Sequence, residues 1–93
     1  MIVLDVHALT VVADFFVICS ADNERLLRAI ARDVLEATDE IGMDPRRREG
    51  SPESGWMLID YADVVVHIFG EAERQFYRLE EAWAEAHTLL VIQ

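Results

Sequence analysis

Hydrophobic residues recur along this chain in two rhythms: short apolar runs bounded by turn residues, and spacings of three and four. Ile2 to Val6 is a first short run and reads as a strand. Phe15-Phe16-Val17-Ile18-Cys19 is a second. It is rich in β-formers and apolar on both faces, which predicts a buried strand. Ser20 or Asp22 is placed to cap the helix that follows. In that helix Leu26, Leu27, Ile30, Val34 and Ile41 form one apolar stripe, with Arg25, Arg28, Arg32, Glu36 and Glu40 outside it. Gly42 stands where a left-handed C-terminal cap belongs, and Pro45 prevents continuation.

Residues 43–55 read as a loop holding one strand near Arg46–Glu49, followed by the turn Ser51-Pro52-Glu53-Ser54-Gly55. Trp56 to Asp60 and Val64 to Phe69 are two strong strands, joined by Tyr61-Ala62-Asp63 in a connection short enough for a hairpin. Gly70 ends the second. A last helix is expected from about Glu71 to Glu85, with Ala72, Phe76, Leu79, Trp83 and Ala86 on its apolar face. Leu89 to Ile92 is a final apolar run, a strand or a packed tail. These elements predict an α/β (α+β) domain over residues 1–93, with a single mixed β-sheet and two flanking helices. The connection leaving strand 15–19 through the long helix is long enough for a right-handed crossover.

Ninety-three residues make one domain with a modest core, and 53% hydrophobic content is ample for folding. No apolar run approaches the ~18–20 residues that span a bilayer. Met1-Ile2-Val3-Leu4 lacks a basic leader and is interrupted by Asp5. Cys19 is the single cysteine, so no internal disulfide forms. A cytoplasmic protein without a membrane partner is expected. The net charge of −10 is spread along the chain. A field of that sign repels phosphate backbones, so direct nucleic-acid binding is not expected. The basic run Arg46-Arg47-Arg48 is balanced locally by Asp44 and Glu49. Basic proteins are the natural partners of such a chain.

Candidate chemistry is sparse. Asp60 and Asp63 flank the expected hairpin tip, and Gly50-Ser51 lies upstream, a loose likeness to a nucleotidyltransferase site. Two-metal chemistry needs carboxylates converging on ions ~3.5–4 Å apart. Side chains three apart on a strand do not share a face, so solvated turn aspartates are the simpler reading. His67 shares a strand face with Val65 and Phe69 and is expected to be a half-buried, hydrogen-bonded histidine. Cys19 is expected to be an apolar filler. No Ser/His/Asp order, phosphate-binding Gly loop or paired cysteines is present. No catalytic residue, metal or cofactor is therefore expected. Trp56, Leu58 and Asp60 alternate onto one strand face, opposite Met57 and Ile59. If both helices cover the Met57/Ile59 side, Trp56, Leu58 and Tyr61 form an open patch of the kind that anchors protein partners. The alternative is that Trp56 belongs to the core.

Ala13-Asp14-Phe15-Phe16-Val17-Ile18-Cys19-Ser20 resembles a signature stretch of the Iojap family of ribosomal silencing factors. Ile2–Val6 with Leu9-Thr10, Ala29-Ile30-Ala31, Pro45 and Glu49-Gly50 follow the same pattern. The block from Trp56 through Leu58-Ile59-Asp60-Tyr61-Ala62-Asp63 to Phe69 is its most specific part. Arg74, Phe76-Tyr77, Leu79-Glu80 and Trp83 resemble the closing helix. The resemblance implies a nucleotidyltransferase-like fold without catalytic residues and a non-enzymatic role. It also implies binding to the large ribosomal subunit through ribosomal protein L-fourteen, steric blocking of subunit association, and homodimers in some members. The partner surface is expected to include Trp56, Leu58, Asp60, Tyr61 and Asp63, with aromatics as anchors and aspartates facing basic groups of the partner. A minimal magnesium-dependent nucleotidyltransferase using Asp60 and Asp63, or a dimeric adaptor for another basic protein, are the alternatives. Two departures stand out. Ala62 occupies a position where the family usually has Gly, and the family's usual N-terminal amphipathic helix is missing here. The second departure predicts an exposed apolar sheet surface that favours a homodimer.

Overall fold

The computed structural model describes residues 1–9, 13–70 and the backbone of 87–91. Six strands form one sheet: β1 (Ile2–Asp5), β2 (Phe15–Ala21), β3 (Arg47–Ser51), β4 (Trp56–Asp60), β5 (Val64–Gly70) and β6 (His87–Val91), in the spatial order β3-β4-β5-β2-β1-β6. Only β2 and β5 run parallel, with Phe15 opposite Val64 and Ala21 opposite Gly70. All other pairs are antiparallel. Leaving β2, the chain runs through the helix α1 (Glu24–Glu40) and reaches the far edge at β3. It then returns through β4 to lay β5 beside β2. The sheet is mixed, as expected. The final apolar run is a strand, and the expected closing helix lies outside the described residues. Among the described residues, no helix is long and apolar enough to cross a membrane.

Helix α1 is capped one position after Asp22 and three after Ser20, the two expected caps. Pairing with β5 holds β2 extended through Ala21, which leaves Ser20 inside the strand. Asn23 is the cap instead, its Oδ1 accepting the Leu26 N–H at 2.8 Å. Such a cap contributes about 1 kcal/mol. At the other end the expected glycine is in place: Gly42 has φ +77, and its N–H donates to Asp39 while that of Met43 donates to Thr38. These two bonds satisfy carbonyls that the helix end leaves open.

The sheet separates two apolar layers. On the α1 side, Leu27 and Ala31 are buried against Cys19, Ala21, Ile59, Val66 and Ile68, with Ile30, Val34, Leu35 and Met57 partly buried around them. The apolar stripe is narrower than expected. Leu26 is 42% exposed, and Ile41 is 71% exposed because it follows the last helical turn as its cap. On the opposite side Leu4, Val6, Phe16, Ile18, Leu58, Val65 and Phe69 are buried. That face is already removed from solvent within the chain, which corrects the expectation of an open apolar sheet surface.

His67 sits in this second layer. Phe16 meets its ring edge-on at 5.3 Å, and Phe69 stacks on it at 5.9 Å. Both ring nitrogens are shielded from water and have no hydrogen-bond partner among the described residues, so in place of the expected hydrogen-bonded histidine there is an aromatic packing residue. Burial lowers its pKa from 6.5 to about 4. The unfolded chain therefore takes up a proton that the folded chain refuses, and stability falls as pH drops from 6.5 towards 4. Urea unfolding across that range should show this slope, and His67→Phe should flatten it. An unchanged slope in the variant would contradict the assignment.

Candidate functional site at the β4–β5 turn

The turn joining β4 to β5 is built around one buried carboxylate. Asp60, the last residue of β4, is 1% exposed. Its Oδ2 accepts from the Arg46 guanidinium at 2.9 Å, with Arg47 at 3.7 Å, and its Oδ1 accepts the Ala62 N–H at 2.7 Å. Burial pushes its pKa up. The Arg46 hydrogen bond, the Ala62 N–H and the charges of Arg46 and Arg47 outweigh that, leaving Asp60 below the ordinary aspartate value. The antiparallel register explains why both arginines arrive: Arg47 lies directly opposite Asp60, and the Arg46 N–H donates to the Asp60 carbonyl at 2.7 Å.

Beyond Asp60 the backbone reverses sharply. The Asp63 N–H donates to the Tyr61 carbonyl at 3.0 Å, closing a three-residue turn about Ala62, whose φ is +74. An alanine in that region costs about 1–2 kcal/mol. The turn is held to its surroundings on two sides. The Asp63 carbonyl accepts the N–H groups of Asp14 and Phe15 at 2.8 and 3.0 Å, fixing the start of β2. The Tyr61 hydroxyl bonds Thr38 Oγ1 on α1 at 2.7 Å.

At the other end of β4, Trp56 lies over Gly50. A Cβ at Gly50 would stand 2.2 Å from the Trp56 carbonyl oxygen and 2.8 Å from its ring, and Gly50 has φ +79, so only glycine fits beneath the indole. Trp56 is half-buried: part of it packs on the layer containing Leu58 and Phe69, and the rest faces out. Trp56 is therefore neither wholly core nor wholly exposed.

The five residues expected to form one open patch separate in three ways. Trp56, Leu58 and Asp60 share the face opposite α1, but Leu58 is only 9% exposed and belongs to the core. Asp60 is not a solvated turn aspartate, because Arg46 and Arg47 occupy its carboxylate. Tyr61 turns to the α1 side, where like Met57 and Val64 it packs against the buried layer there, whereas Trp56 packs against the opposite layer. Asp63 is exposed at the tip. The likeness to a nucleotidyltransferase site also comes apart. Gly50 and Ser51 belong to β3 rather than to a turn, and Ser51 pairs with Trp56 while Asp60 pairs with Arg47. The two groups thus stand at opposite ends of β4, about 13 Å apart at ~3.3 Å per residue. Among the described residues, no three of His, Cys, Asp and Glu gather to hold a metal ion. The Arg46 clamp was not foreseen. Its only sequence signal is a basic run preceding, by one hairpin, a strand that ends in aspartate.

Two substitutions test this description of the turn. Ala62→Gly should stabilise the fold by about 1 kcal/mol by relieving the positive φ. Asp60→Ala should destabilise it by about 2–3 kcal/mol through loss of charge-assisted hydrogen bonds. Urea unfolding of both variants measures this. A destabilising Ala62→Gly would contradict the turn geometry, and a neutral Asp60→Ala would contradict the clamp.

Residues 1–92 match the family described as ribosomal silencing factor during starvation. Ribosomal silencing factor RsfS of Bacillus subtilis is 40% identical over 92% of this chain and 73% of its own length. The chloroplastic protein Iojap of Zea mays is 34% identical over 90% of this chain, which corresponds to 36% of the maize protein. Among solved structures, a Chromobacterium violaceum protein superposes with a TM-score of 0.84 at 33% identity, covering 88% of this chain and 68% of that one. A protein from Bacillus halodurans gives 0.81 at 36% identity, covering 97% and 81%.

Proposed function

This chain belongs to the ribosomal silencing factor family, and on that premise we propose that it binds the large ribosomal subunit through ribosomal protein L-fourteen. Its bulk there blocks association with the small subunit and represses translation, with no bond made or broken. The observation that carries the reading is the family match across residues 1–92. The same proposal includes a sheet flanked by two helices in a nucleotidyltransferase-like arrangement, a cytoplasmic site of action, homodimerisation, and no direct nucleic-acid contact. The net charge of −10 supports the last point and favours a basic ribosomal protein as the surface met first.

A partner reaching the β4 region meets the half-buried Trp56 at one end of the strand and the exposed Asp63 beyond the other. Leu58 and Asp60 lie beneath this surface and hold its shape, and Tyr61 anchors the turn to α1 through Thr38. A half-buried tryptophan over a glycine is well suited to be the anchor, since its ring is fixed before binding.

Co-sedimentation with isolated ribosomal subunits tests this. The wild-type chain should pellet with the large subunit only. Trp56→Ala should weaken that binding by about tenfold or more while the circular dichroism spectrum stays native. Binding unchanged in Trp56→Ala, or pelleting with the small subunit, would contradict the proposal.

A further inference from the structure

The last turn of α1 breaks a rule that its first turn keeps. A helix C-terminus carries partial negative charge and favours cations. Glu24 suits the first turn, but the last turn holds no basic residue. Asp39 and Glu40 stand there instead, with Glu36 one turn earlier. Immediately beyond, Ile41 is 71% exposed and Met43 is 39% exposed. Local rules broken without a compensating contact are expected at functional surfaces.

Of these residues, Glu36, Asp39 and Met43 border a groove. It has a volume of about 280 Å³ and lies between the end of α1, the loop at 43–45 and β3. Its apolar lining is Leu35, Met43 and Pro45, and its carboxylates are Glu36, Asp39 and Asp44, with Arg48 the one cation. Among the described residues, none of these three carboxylates is in an ion pair, and Arg48 makes none either. The volume falls just below the ~300–1,000 Å³ typical of small-molecule sites, so it suits one inserted side chain rather than a whole ligand. Arg48 lies opposite Ile59, which packs on the α1 side, so the groove opens on the face away from Trp56.

We propose that this groove binds a short cationic segment of a partner protein. One apolar side chain enters against Leu35, Met43 and Pro45, and flanking Arg or Lys groups reach Glu36, Asp39 and Asp44. Charge selects this occupant. The lining sets three carboxylates against one guanidinium, a local excess of negative charge that a cationic segment complements. A cationic segment also relieves the unfavourable charges at the helix end. The site is separate from the β4 surface and does not depend on it, so the chain can hold two basic segments at once, one on each face of the sheet.

The test uses the full chain and a labelled, amidated peptide of sequence Arg-Lys-Leu-Lys-Arg, followed by fluorescence anisotropy at low and moderate salt. The wild type should bind, more weakly as salt rises. Asp39→Lys and Asp44→Lys should each weaken binding by about tenfold, as should replacing the peptide's Leu by Ala. Asp39→Lys should at the same time raise Tm, because a cation suits the helix end, so weaker binding cannot be ascribed to lost folding. Peptide-induced amide shifts should centre on residues 35–48. The proposal is overturned if the peptide does not bind, if the Ala peptide or the variants bind like the wild type, or if the shifts centre on Trp56. A change of oligomeric state in the lysine variants, seen by sedimentation velocity, would assign the groove to a second copy instead and overturn it equally.

Discussion

The geometry of β3, β4 and β5 depends on the buried carboxylate of Asp60. It has 1% exposure, Arg47 from the neighbouring strand, Arg46 from just before that strand and one backbone N–H from the following turn. An unpaired charge so placed would be strongly destabilising. The pairing therefore dictates where β3 begins, how sharply β4 reverses and which way Tyr61 points. Through the Asp63 carbonyl, the same turn also sets the start of β2. Arg46 keeps 62% of its side chain in water, so the ion pair is buried on one side only and the cost of desolvating the guanidinium stays small.

This clamp also decides what the site is suited to do. A carboxylate occupied by guanidinium and amide donors is unsuited to move protons or hold a cation, yet it makes a rigid support. Rigidity suits the surface-only role proposed above. The Trp56 ring is held on Gly50 and the core layer, so a proposed partner contact there would cost it little freedom. The half-buried Trp56 thus lies towards one face of the sheet, and an acidic, apolar-lined groove opens on the other.

Much of the fold was legible because the pattern in question was local. The alternation of Trp56, Leu58 and Asp60 against Met57 and Ile59 predicted which side chains share a face, and the two core layers follow it. Gly42 and Pro45 predicted the helix end correctly. What the sequence did not reveal depended on distant partners. The extent of β2, and with it the choice of Asn23 as cap, is set by pairing with β5. The burial of Asp60 depends on Arg46, fourteen positions away. The contacts of His67 come from Phe16 on another strand as well as Phe69 on its own. The single patch expected of Trp56, Leu58 and Tyr61 failed for a related reason: the alternation holds within β4, but the turn after Asp60 carries Tyr61 to the other side. The functional reading came from the family resemblance in the Trp56–Phe69 block rather than from any constellation of reactive groups.

The central claim is that this chain acts by occupying space on the large subunit. Light scattering of purified ribosomal subunits mixed after the large subunit has been saturated with the chain measures it directly. Subunit joining should fall in proportion to occupancy and recover when excess large subunit is added. Joining at the normal rate and extent with the large subunit fully occupied would contradict a steric mechanism.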